Sequence, residues 1–335
     1  MQQLPVVDIA PFFGDDDAEK LLAAADIRSA CQNAGFFYLI GHGISQSMFD
    51  ELEELSREFF ALPLTEKMDI SMDKAGRAWR GYFPVGNELT SGKPDIKEGL
   101  YFGIEHDPSN SQVLAQVPLY GSNLWPMTPK SFRSKVEAYL QLASAAAVKV
   151  LQGISLALDL EEDYFSHHYI KNDPTLLFRI FHYPREHTLR TAESWGVGEH
   201  TDYGLLTLLA QDSCGGLQVK TPNGWIEAPP IPGALICNIG DMLDRLTGGY
   251  FKSTPHRVRN VSHRDRLSWP LFFDPCFTAI MQPLPTVAHR GPNHHASQER
   301  WDGANLDAFE GTYGQYLMQK VAKVFPDLGA QVNVV

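Results

Sequence analysis

Apolar and polar positions repeat with two different periods along this chain. In the first half, apolar residues recur at helical spacing over residues 16–33, 45–61 and 129–160. Many short strands between turn residues are typical of a β-sandwich or barrel. After residue 175 the chain follows this pattern, with short runs of Leu, Ile, Phe and Val at residues 176–183, 205–210, 216–220, 225–228, 234–238, 251–258, 269–273 and 278–281.

Four shorter segments complete the predicted order of elements. Residues 5–9 and 36–40 have the apolar character of short strands, and residues 306–325 that of a final helix. Residues 75–108 mix Gly, aromatic and charged residues, which predicts an irregular segment. Because no internal repeat or linker separates these parts, we expect one unit over residues 1–335. We divide it into a helical N-terminal region at 1–120, a β-rich core at 176–285 and a C-terminal helix within 300–330.

The composition argues against two classes of partner. Acidic residues outnumber basic ones by 40 to 28, which gives a formal net charge of −12 at pH 7. No dense Lys/Arg cluster offsets this excess, so we expect neither nucleic acid nor an anionic membrane surface as a partner. From the sequence, no stretch reads as long and uncharged enough to span a bilayer, and no basic N-terminal segment precedes an apolar run. We therefore expect neither secretion nor membrane insertion.

The cysteines indicate the redox compartment. Cys31, Cys214, Cys237 and Cys276 lie far apart and form no C-x-x-C pair. With 44% hydrophobic residues in 335, the chain has enough apolar surface for a substantial core without disulfides. We expect reduced thiols in a cytoplasmic, monomeric protein.

His200 and Asp202 stand two residues apart in an apolar, strand-like context. Because successive side chains of a strand point to opposite faces, both would project from one face and bind one metal ion. The best candidate for a third ligand is His256, 54 residues beyond Asp202. Two histidines and one carboxylate on one side of a metal form the facial triad of non-haem Fe(II) oxygenases, which leaves other coordination positions open. A thiolate-rich set would instead have indicated structural zinc or an iron–sulfur cluster.

Arg266 and Ser268 follow ten residues after His256 and again alternate on one predicted face. Their guanidinium and hydroxyl suit a carboxylate that is held away from the metal. Arg264 is the alternative, because alternation places it on the same face. The apolar run directly after Ser268 favours Arg266.

In this order and spacing, these residues resemble the Fe(II)/2-oxoglutarate-dependent dioxygenases of the isopenicillin N synthase-like family. The resemblance includes the stretches 35–43, 238–241 and 270–273 and runs from Pro5 to about Phe277. It implies an α+β fold with a double-stranded β-helix (jelly-roll, cupin-like) core. It also implies Fe(II), 2-oxoglutarate and dioxygen as cofactor and co-substrates, with the triad as the metal site and Arg266 and Ser268 as 2-oxoglutarate contacts.

By this resemblance, the protein is an enzyme that oxidises a small molecule, as in secondary metabolism, while 2-oxoglutarate is converted into succinate and CO2. The triad does not choose between hydroxylation, desaturation and ring closure, and no catalytic residue beyond the metal site is predicted. Two alternatives stay open. One is an iron oxidase of the same fold that does not use 2-oxoglutarate, and the other is a non-catalytic protein that binds a metabolite.

Three residues on one predicted strand concern the co-substrate and the substrate. Many relatives place a tyrosine that hydrogen-bonds the co-substrate at the position of Tyr183, although a role in core packing is equally open. Phe181 stands where Asn is common, so the sequence departs from the family there. Arg179 shares their face and either pairs with a substrate anion or forms an ordinary ion pair.

Relatives draw pocket residues from the irregular N-terminal segment and from the strands after the Arg-x-Ser motif. Arg80 is a candidate for a substrate carboxylate, and only one of the neighbours Tyr101 and Phe102 can face the pocket if their segment is extended. The histidine doublets at 167–168 and 294–295 match no ligand spacing, and we expect them to be solvated. The full set of candidate substrate contacts, for which core packing is the alternative, is Arg80, Tyr82, Tyr101, Phe102, Arg179, Phe273 and Phe277.

Overall fold

Twelve β-strands and seven α-helices are present in the part of the chain that the structure describes. The structure is a computed structural model that describes residues 3–171, 173–185, 191, 194–286, 306 and 309–325. The strands are β1 (Val6–Asp8), β2 (Phe36–Ile40), β3 (Gly81–Phe83), β4 (Glu98–Gly103), β5 (Pro174–Tyr183), β6 (Val197–His200), β7 (Leu206–Gln211), β8 (Leu217–Thr221), β9 (Gly224–Glu227), β10 (Leu235–Ile239), β11 (His256–Val258) and β12 (Arg266–Cys276). The helices are α1 (Asp17–Asn33), α2 (Gln46–Phe60), α3 (Leu64–Lys67), α4 (Ser111–Leu114), α5 (Phe132–Ala157), α6 (Asp241–Leu246) and α7 (Tyr313–Val324).

The strands form two sheets that enclose a cavity. The larger sheet has the order β1-β2-β10-β7-β12-β5-β4-β3, and the smaller has the order β6-β11-β8-β9. Residues of β5, β7, β10 and β12 line the cavity from the larger sheet, and residues of β6, β8 and β11 line it from the smaller. This is the arrangement of a double-stranded β-helix, so the predicted α+β fold with a jelly-roll core is confirmed.

Helices α1 and α5 pack on each other beside the larger sheet. Helix α1 begins after Asp16, whose carboxylate accepts the backbone N–H groups of Ala18 and Glu19 at 2.9 and 3.2 Å. Helix α5 buries small residues on this side. At Gly153 an added Cβ would lie 2.4 Å from Cδ1 of Ile27, so the absence of a side chain permits the close approach of the two helices.

Helix α5 is long and apolar enough to cross a bilayer by length and composition alone, contrary to the expectation from the sequence. Half of its apolar stretch is buried within the protein, where Val136, Tyr139 and Val150 are fully covered. The core helix of a globular domain passes the same test, because both kinds of helix are apolar on most faces.

The predicted boundaries differ from the structure in four places. Residues 75–108 were predicted to be irregular but contain β3 and β4. The charged residues around β4 suggested an exposed segment, whereas they are buried in ion pairs. Residues 278–281 form only an isolated bridge at Ile280, and of residues 251–258 only the last three form a strand. The final helix begins at Tyr313 rather than at 306, because Thr312 and Gln315 form a capping box there.

Candidate metal centre and active site

His200, Asp202 and His256 are brought together where β6 and β11 pair. His256 lies directly opposite His200 in this antiparallel pair, and the ring centroids are 4.2 Å apart. The Nε2 atoms of His200 and His256 lie 3.7 and 3.6 Å from Oδ1 of Asp202. The three candidate ligand atoms all lie within 4.8 Å of one another, which a single metal ion can span.

Backbone carbonyls fix the orientation of both imidazole rings. Nδ1 of His200 donates to the carbonyl of Gly198 at 2.8 Å, and Nδ1 of His256 donates to the carbonyl of Thr254 at 3.1 Å. Each ring therefore presents the lone pair of Nε2 to the centre of the site. Burial, together with the neighbouring His256, lowers the pKa of His200 to about 3, so this ring is neutral at neutral pH.

Two hydrogen bonds hold Asp202 by one oxygen and leave the other free. Oδ2 accepts from the hydroxyl of Thr207 at 2.5 Å and from the side-chain amide of Asn238 at 2.7 Å. Burial raises the pKa of Asp202, but the two imidazoles and these hydrogen bonds outweigh it and bring the pKa below its ordinary value. The carboxylate is thus ionised, with Oδ1 turned towards the histidines.

His200 and Asp202 were predicted to lie on one face of a strand, and the structure agrees only for His200. His200 is the last residue of β6, whereas Asp202 lies beyond the strand. The N–H of Asp241, at the start of α6, donates to the carbonyl of Asp202 at 2.8 Å and fixes this turn. Two imidazole nitrogens and one carboxylate oxygen on one side fit Fe(II) in a facial triad, and no thiolate is among them.

A cavity of about 850 Å³, including its open mouth, extends from the triad between the two sheets. Even-numbered residues of β12 face it, from Arg266 to Asp274, and odd-numbered residues of β5 face it, from Leu177 to Tyr183. This is the period of two expected of strands. The residues predicted to bind metal and 2-oxoglutarate therefore line one space.

Arg266 is completely buried in the wall of this cavity. Its Nε donates to the carbonyl of Gly215 at 2.6 Å, and its Nη2 donates to Oε1 of Gln211 at 3.2 Å. Nη1 has no acceptor among the residues that the structure describes. A buried guanidinium with a free N–H end and no carboxylate partner fits an anionic ligand.

Ser268 and Tyr183 complete this end of the cavity. Their hydroxyl groups lie 3.2 Å apart, and the guanidinium of Arg266 lies over the Tyr183 ring at 4.7 Å. The alternative Arg264 is exposed and contacts Ser213 and Cys214 instead. The arrangement can bind one carboxylate with a charged donor and two hydroxyls.

The opposite wall carries a buried network of charged residues, of which the sequence identified Arg179 alone. Glu88 forms an ion pair with Lys97 at 2.7 Å. It also accepts hydrogen bonds from the hydroxyl of Tyr101 at 2.7 Å and from Nη1 of Arg179 at 3.3 Å. Lys97 also pairs with Asp95, whose pKa burial raises to about 6. Glu88, Lys97 and Arg179 all line the cavity. A charged segment before β4 looks solvated in the sequence, so no signal identified Glu88, Asp95 or Lys97.

Of the seven predicted substrate contacts, Arg179 alone lines the metal cavity within the part of the chain described. It forms the ordinary ion pair considered as its alternative, yet its Nε has no acceptor among the described residues. Phe273 is buried on the other face of β12, where the period of two places it, and its neighbour Phe272 faces the cavity. Phe181 also faces the cavity, beneath the ammonium of Lys97 at 4.9 Å.

The remaining predicted contacts lie elsewhere. Tyr82 donates to Glu98 at 2.5 Å, and Phe102 stacks on Trp125 with ring centroids 4.5 Å apart. Tyr101 is in the wall, where it holds Glu88, but it does not line the cavity.

Arg80 and Phe277 line a second cavity that contains no triad residue. The substrate roles expected for them therefore do not fit their positions. Of the histidine doublets, His167 and His168 are exposed, as predicted, whereas residues 294–295 lie outside the described residues.

Comparison with known proteins agrees with this geometry. Residues 4–128 match the family described as non-haem dioxygenase in morphine synthesis N-terminal, and residues 174–275 match the 2OG-Fe(II) oxygenase superfamily. The chain is 47% identical to a probable iron/ascorbate oxidoreductase of Dictyostelium discoideum, over 98% of this chain and 96% of the relative. It is 37% identical to a homoarginine-6-hydroxylase of Arabidopsis thaliana, over 97% of this chain and 98% of the relative.

A solved structure shows the same likeness. A full-length protein of Neurospora crassa, crystallised in complex with alpha-KG (2-oxoglutarate) and thymine, aligns with a TM-score of 0.78 and 31% identity. The alignment covers 95% of this chain and 96% of that chain.

Proposed function

Because the chain belongs to the 2OG-Fe(II) oxygenase superfamily, we propose that His200, Asp202 and His256 hold its Fe(II) and that Arg266 binds the distal carboxylate of 2-oxoglutarate. The observation that carries this assignment is the free Nη1 of the buried Arg266 in the same cavity as the triad. Ser268 and Tyr183 supply two further hydrogen-bonding groups to that carboxylate.

With iron and 2-oxoglutarate bound, the enzyme uses dioxygen to oxidise a small molecule and releases succinate and CO2. The protein's own groups prepare this site. Thr207 and Asn238 hold Oδ2 of Asp202, so that Oδ1, beside the two imidazoles, would be available to hold the metal. The backbone carbonyls of Gly198 and Thr254 keep both imidazoles in the metal-binding tautomer.

The substrate is, in this proposal, a zwitterionic α-amino acid whose carboxylate contacts Arg179. Arg179 lines the cavity, and its Nε has no acceptor among the described residues. The rings of Tyr101 and Phe272 hold the guanidinium at 4.1 and 4.8 Å. The positive charges of Lys97 and Arg179 in this wall are balanced by Glu88 and, when it is ionised, by Asp95. The wall therefore favours a ligand without net charge. A homoarginine hydroxylase among the relatives supports an amino acid.

Succinate release tests the proposal. Stimulation by L-homoarginine, L-arginine and thymine is measured for the wild type, for Arg179→Met and for the exposed surface control Arg133→Met. We expect at least one amino acid to stimulate release, with a KM raised about tenfold or more in Arg179→Met, because a charge-assisted hydrogen bond is lost. The KM for 2-oxoglutarate should not change.

Two results would count against parts of this proposal. If only thymine stimulated succinate release, the proposed substrate class would be a neutral planar molecule and not an amino acid. Oxidation of a substrate without 2-oxoglutarate-dependent succinate release would favour the iron oxidase that does not use 2-oxoglutarate.

Cellular context is also part of the proposal. The four cysteines are free thiols, which supports a cytoplasmic location. The acidic net charge supports the absence of nucleic acid and membrane partners, and we expect a monomer acting in secondary metabolism. Fractionation and size-exclusion chromatography test the location and the oligomeric state.

A further inference from the structure

Arg80 is a buried cation with unused donors outside the metal cavity. It is 2% exposed, and its Nη2 donates to the carbonyl of Leu119 at 2.8 Å. Nε and Nη1 have no acceptor among the described residues, and none of their carboxylates forms an ion pair with Arg80. A buried charge without a partner is strongly disfavoured, so the side chain indicates a ligand.

Arg80 lines a cavity of about 260 Å³, counted with its open mouth, which is less than a third of the volume of the metal cavity counted in the same way. Leu177 lines both cavities and forms part of the wall between them. The polar lining residues other than Arg80 are Thr175, His106, Tyr120 and Asp173.

The backbone holds Arg80 in this position at a conformational cost. Trp79, directly before it, has the left-handed values φ 52° and ψ 52°, which a bulky residue rarely adopts. Gly81, directly after it, has φ 109°. The guanidinium rests against Gly103, where an added Cβ would lie 2.1 Å from Nη2. The fold therefore reserves space for this side chain and strains the chain beside it.

The nearby acidic groups are engaged elsewhere. Glu105 accepts from Asn123 and Trp125 at 2.9 and 3.1 Å. It forms no ion pair with Arg80 in the part of the chain described, although its negative charge raises the pKa of Arg80. Asp173 lies 3.4 Å from Nε2 of His106 and accepts from Tyr120. Burial lowers the pKa of Arg80 to about 10, so the guanidinium is still charged at neutral pH.

We propose that this second cavity is a binding site for a small monovalent anion, held by Arg80. The cavity has room for a halide or a one-carbon carboxylate such as formate. The carboxylate of Asp173 in the same wall disfavours an ion of higher charge. The site is separate from the proposed cofactor and substrate contacts.

Crystals soaked in bromide test the position directly. We expect an anomalous peak within hydrogen-bonding distance of the Arg80 guanidinium, and its height should fall when formate competes. Bromide density confined to the exposed surface, with water alone beside Arg80, would overturn the proposal. This test needs no variant, so it does not depend on the folding of a mutant.

Thermal unfolding at constant ionic strength gives the test in solution. Replacing sodium gluconate with sodium chloride should raise the Tm of the wild type saturably, by about 2 °C at roughly ten times the dissociation constant. Arg80→Met should lose this rise, and Arg133→Met, which removes an exposed arginine, should keep it. An equal rise in all three proteins would mean that chloride acts on the surface and would contradict the proposal.

Discussion

The metal centre depends on which atoms remain free after the protein has made its own hydrogen bonds. In Asp202, Oδ2 is occupied by Thr207 and Asn238, whereas Oδ1 faces the two imidazoles. In Arg266, two of the three nitrogens bind protein oxygens and Nη1 remains free. A buried polar group that keeps one atom without a protein partner is a candidate for ligand binding, whereas a group with all its atoms bonded serves packing.

Asn238→Ala should lower the affinity for Fe(II) by roughly 10- to 100-fold, the usual effect of losing a group that orients a metal ligand. The carboxylate of Asp202 would keep only the contact from Thr207 and rotate more freely. Anaerobic titration with Fe(II) measures the effect, and Asn223→Ala in an exposed turn is the control. Equal affinities in both variants would show that Asn238 does not orient Asp202.

Arg266→Met should raise the dissociation constant for 2-oxoglutarate by roughly 10- to 150-fold, because a hydrogen bond to a charged group contributes about 1.5–3 kcal/mol. Binding is measured with Fe(II) present and oxygen absent. Arg264→Met is a matched control, since it removes the exposed arginine two residues away on the same alternation. A loss of affinity in the control alone would reverse the assignment.

Sequence patterns and the family resemblance identified the candidate metal ligands. His200, Asp202 and His256 were predicted as a group, and the structure brings them together. Thr207 could not be predicted, because no sequence pattern indicates which hydroxyl of a buried strand donates to the carboxylate of Asp202. Arg80 was assigned to the substrate from its charge, whereas its burial places it in the second cavity.

At the scale of elements, strand periodicity explains both a success and an error. Arg266, Ser268 and Phe272 share the cavity face of β12, and Phe273 cannot share it. The same count from Arg266 would have excluded Phe273 from the sequence alone. By contrast, β4 could not be recognised, because both of its faces are buried and it therefore lacks alternation.

His182 on β5 joins three elements and gives a prediction about pH. Nδ1 lies 2.7 Å from Glu98 of β4, Nε2 lies 3.2 Å from Asp265, and the ring stacks on Phe60 of α2 at 4.9 Å. Burial lowers the pKa of His182, but its hydrogen bonds and charge interactions with Asp265 and Glu98 outweigh burial and raise it above its ordinary value. The stability from this charge is thus complete below the unfolded-state pKa and lost as pH rises through the folded-state pKa.

Denaturant unfolding of the wild type and His182→Gln at about pH 5.5 and about pH 9 tests this sign. The stability advantage of the wild type should shrink by roughly 1–3 kcal/mol at the higher pH. His167→Gln, at an exposed position, should show no such change. An advantage that grows with pH would mean that His182 is neutral in the folded protein.

At the scale of the whole molecule, distant segments meet around one cavity. Glu88 and Lys97 come from the segment before β4, the two histidines from the smaller sheet, Asp202 from the turn after β6, and Leu317 from α7. A β-sandwich or barrel was predictable from strand spacing, and the jelly-roll class from the family resemblance. The charged wall was not, because the sequence does not show which acidic and basic side chains pair when buried.

The net charge of the chain and the charge that meets the co-substrate have opposite signs. The chain carries a net charge of −12. The cavity is lined by equal numbers of Lys/Arg and acidic residues, which are Arg266, Arg179, Lys97, Glu88, Asp202 and Asp274. Because Arg266 binds only uncharged oxygens among the described residues, an anionic co-substrate gains its attraction from this side chain and not from the surface as a whole.

The most direct test of the central claim is an anaerobic titration of the purified protein with Fe(II) and then with 2-oxoglutarate, followed by visible spectroscopy. The account predicts the weak charge-transfer band of an iron-chelated 2-oxo acid in the wild type and its absence in Asp202→Ala. Iron binding without the band would contradict the role assigned to 2-oxoglutarate. Failure to bind iron at all would contradict the assignment of His200, Asp202 and His256 as its ligands.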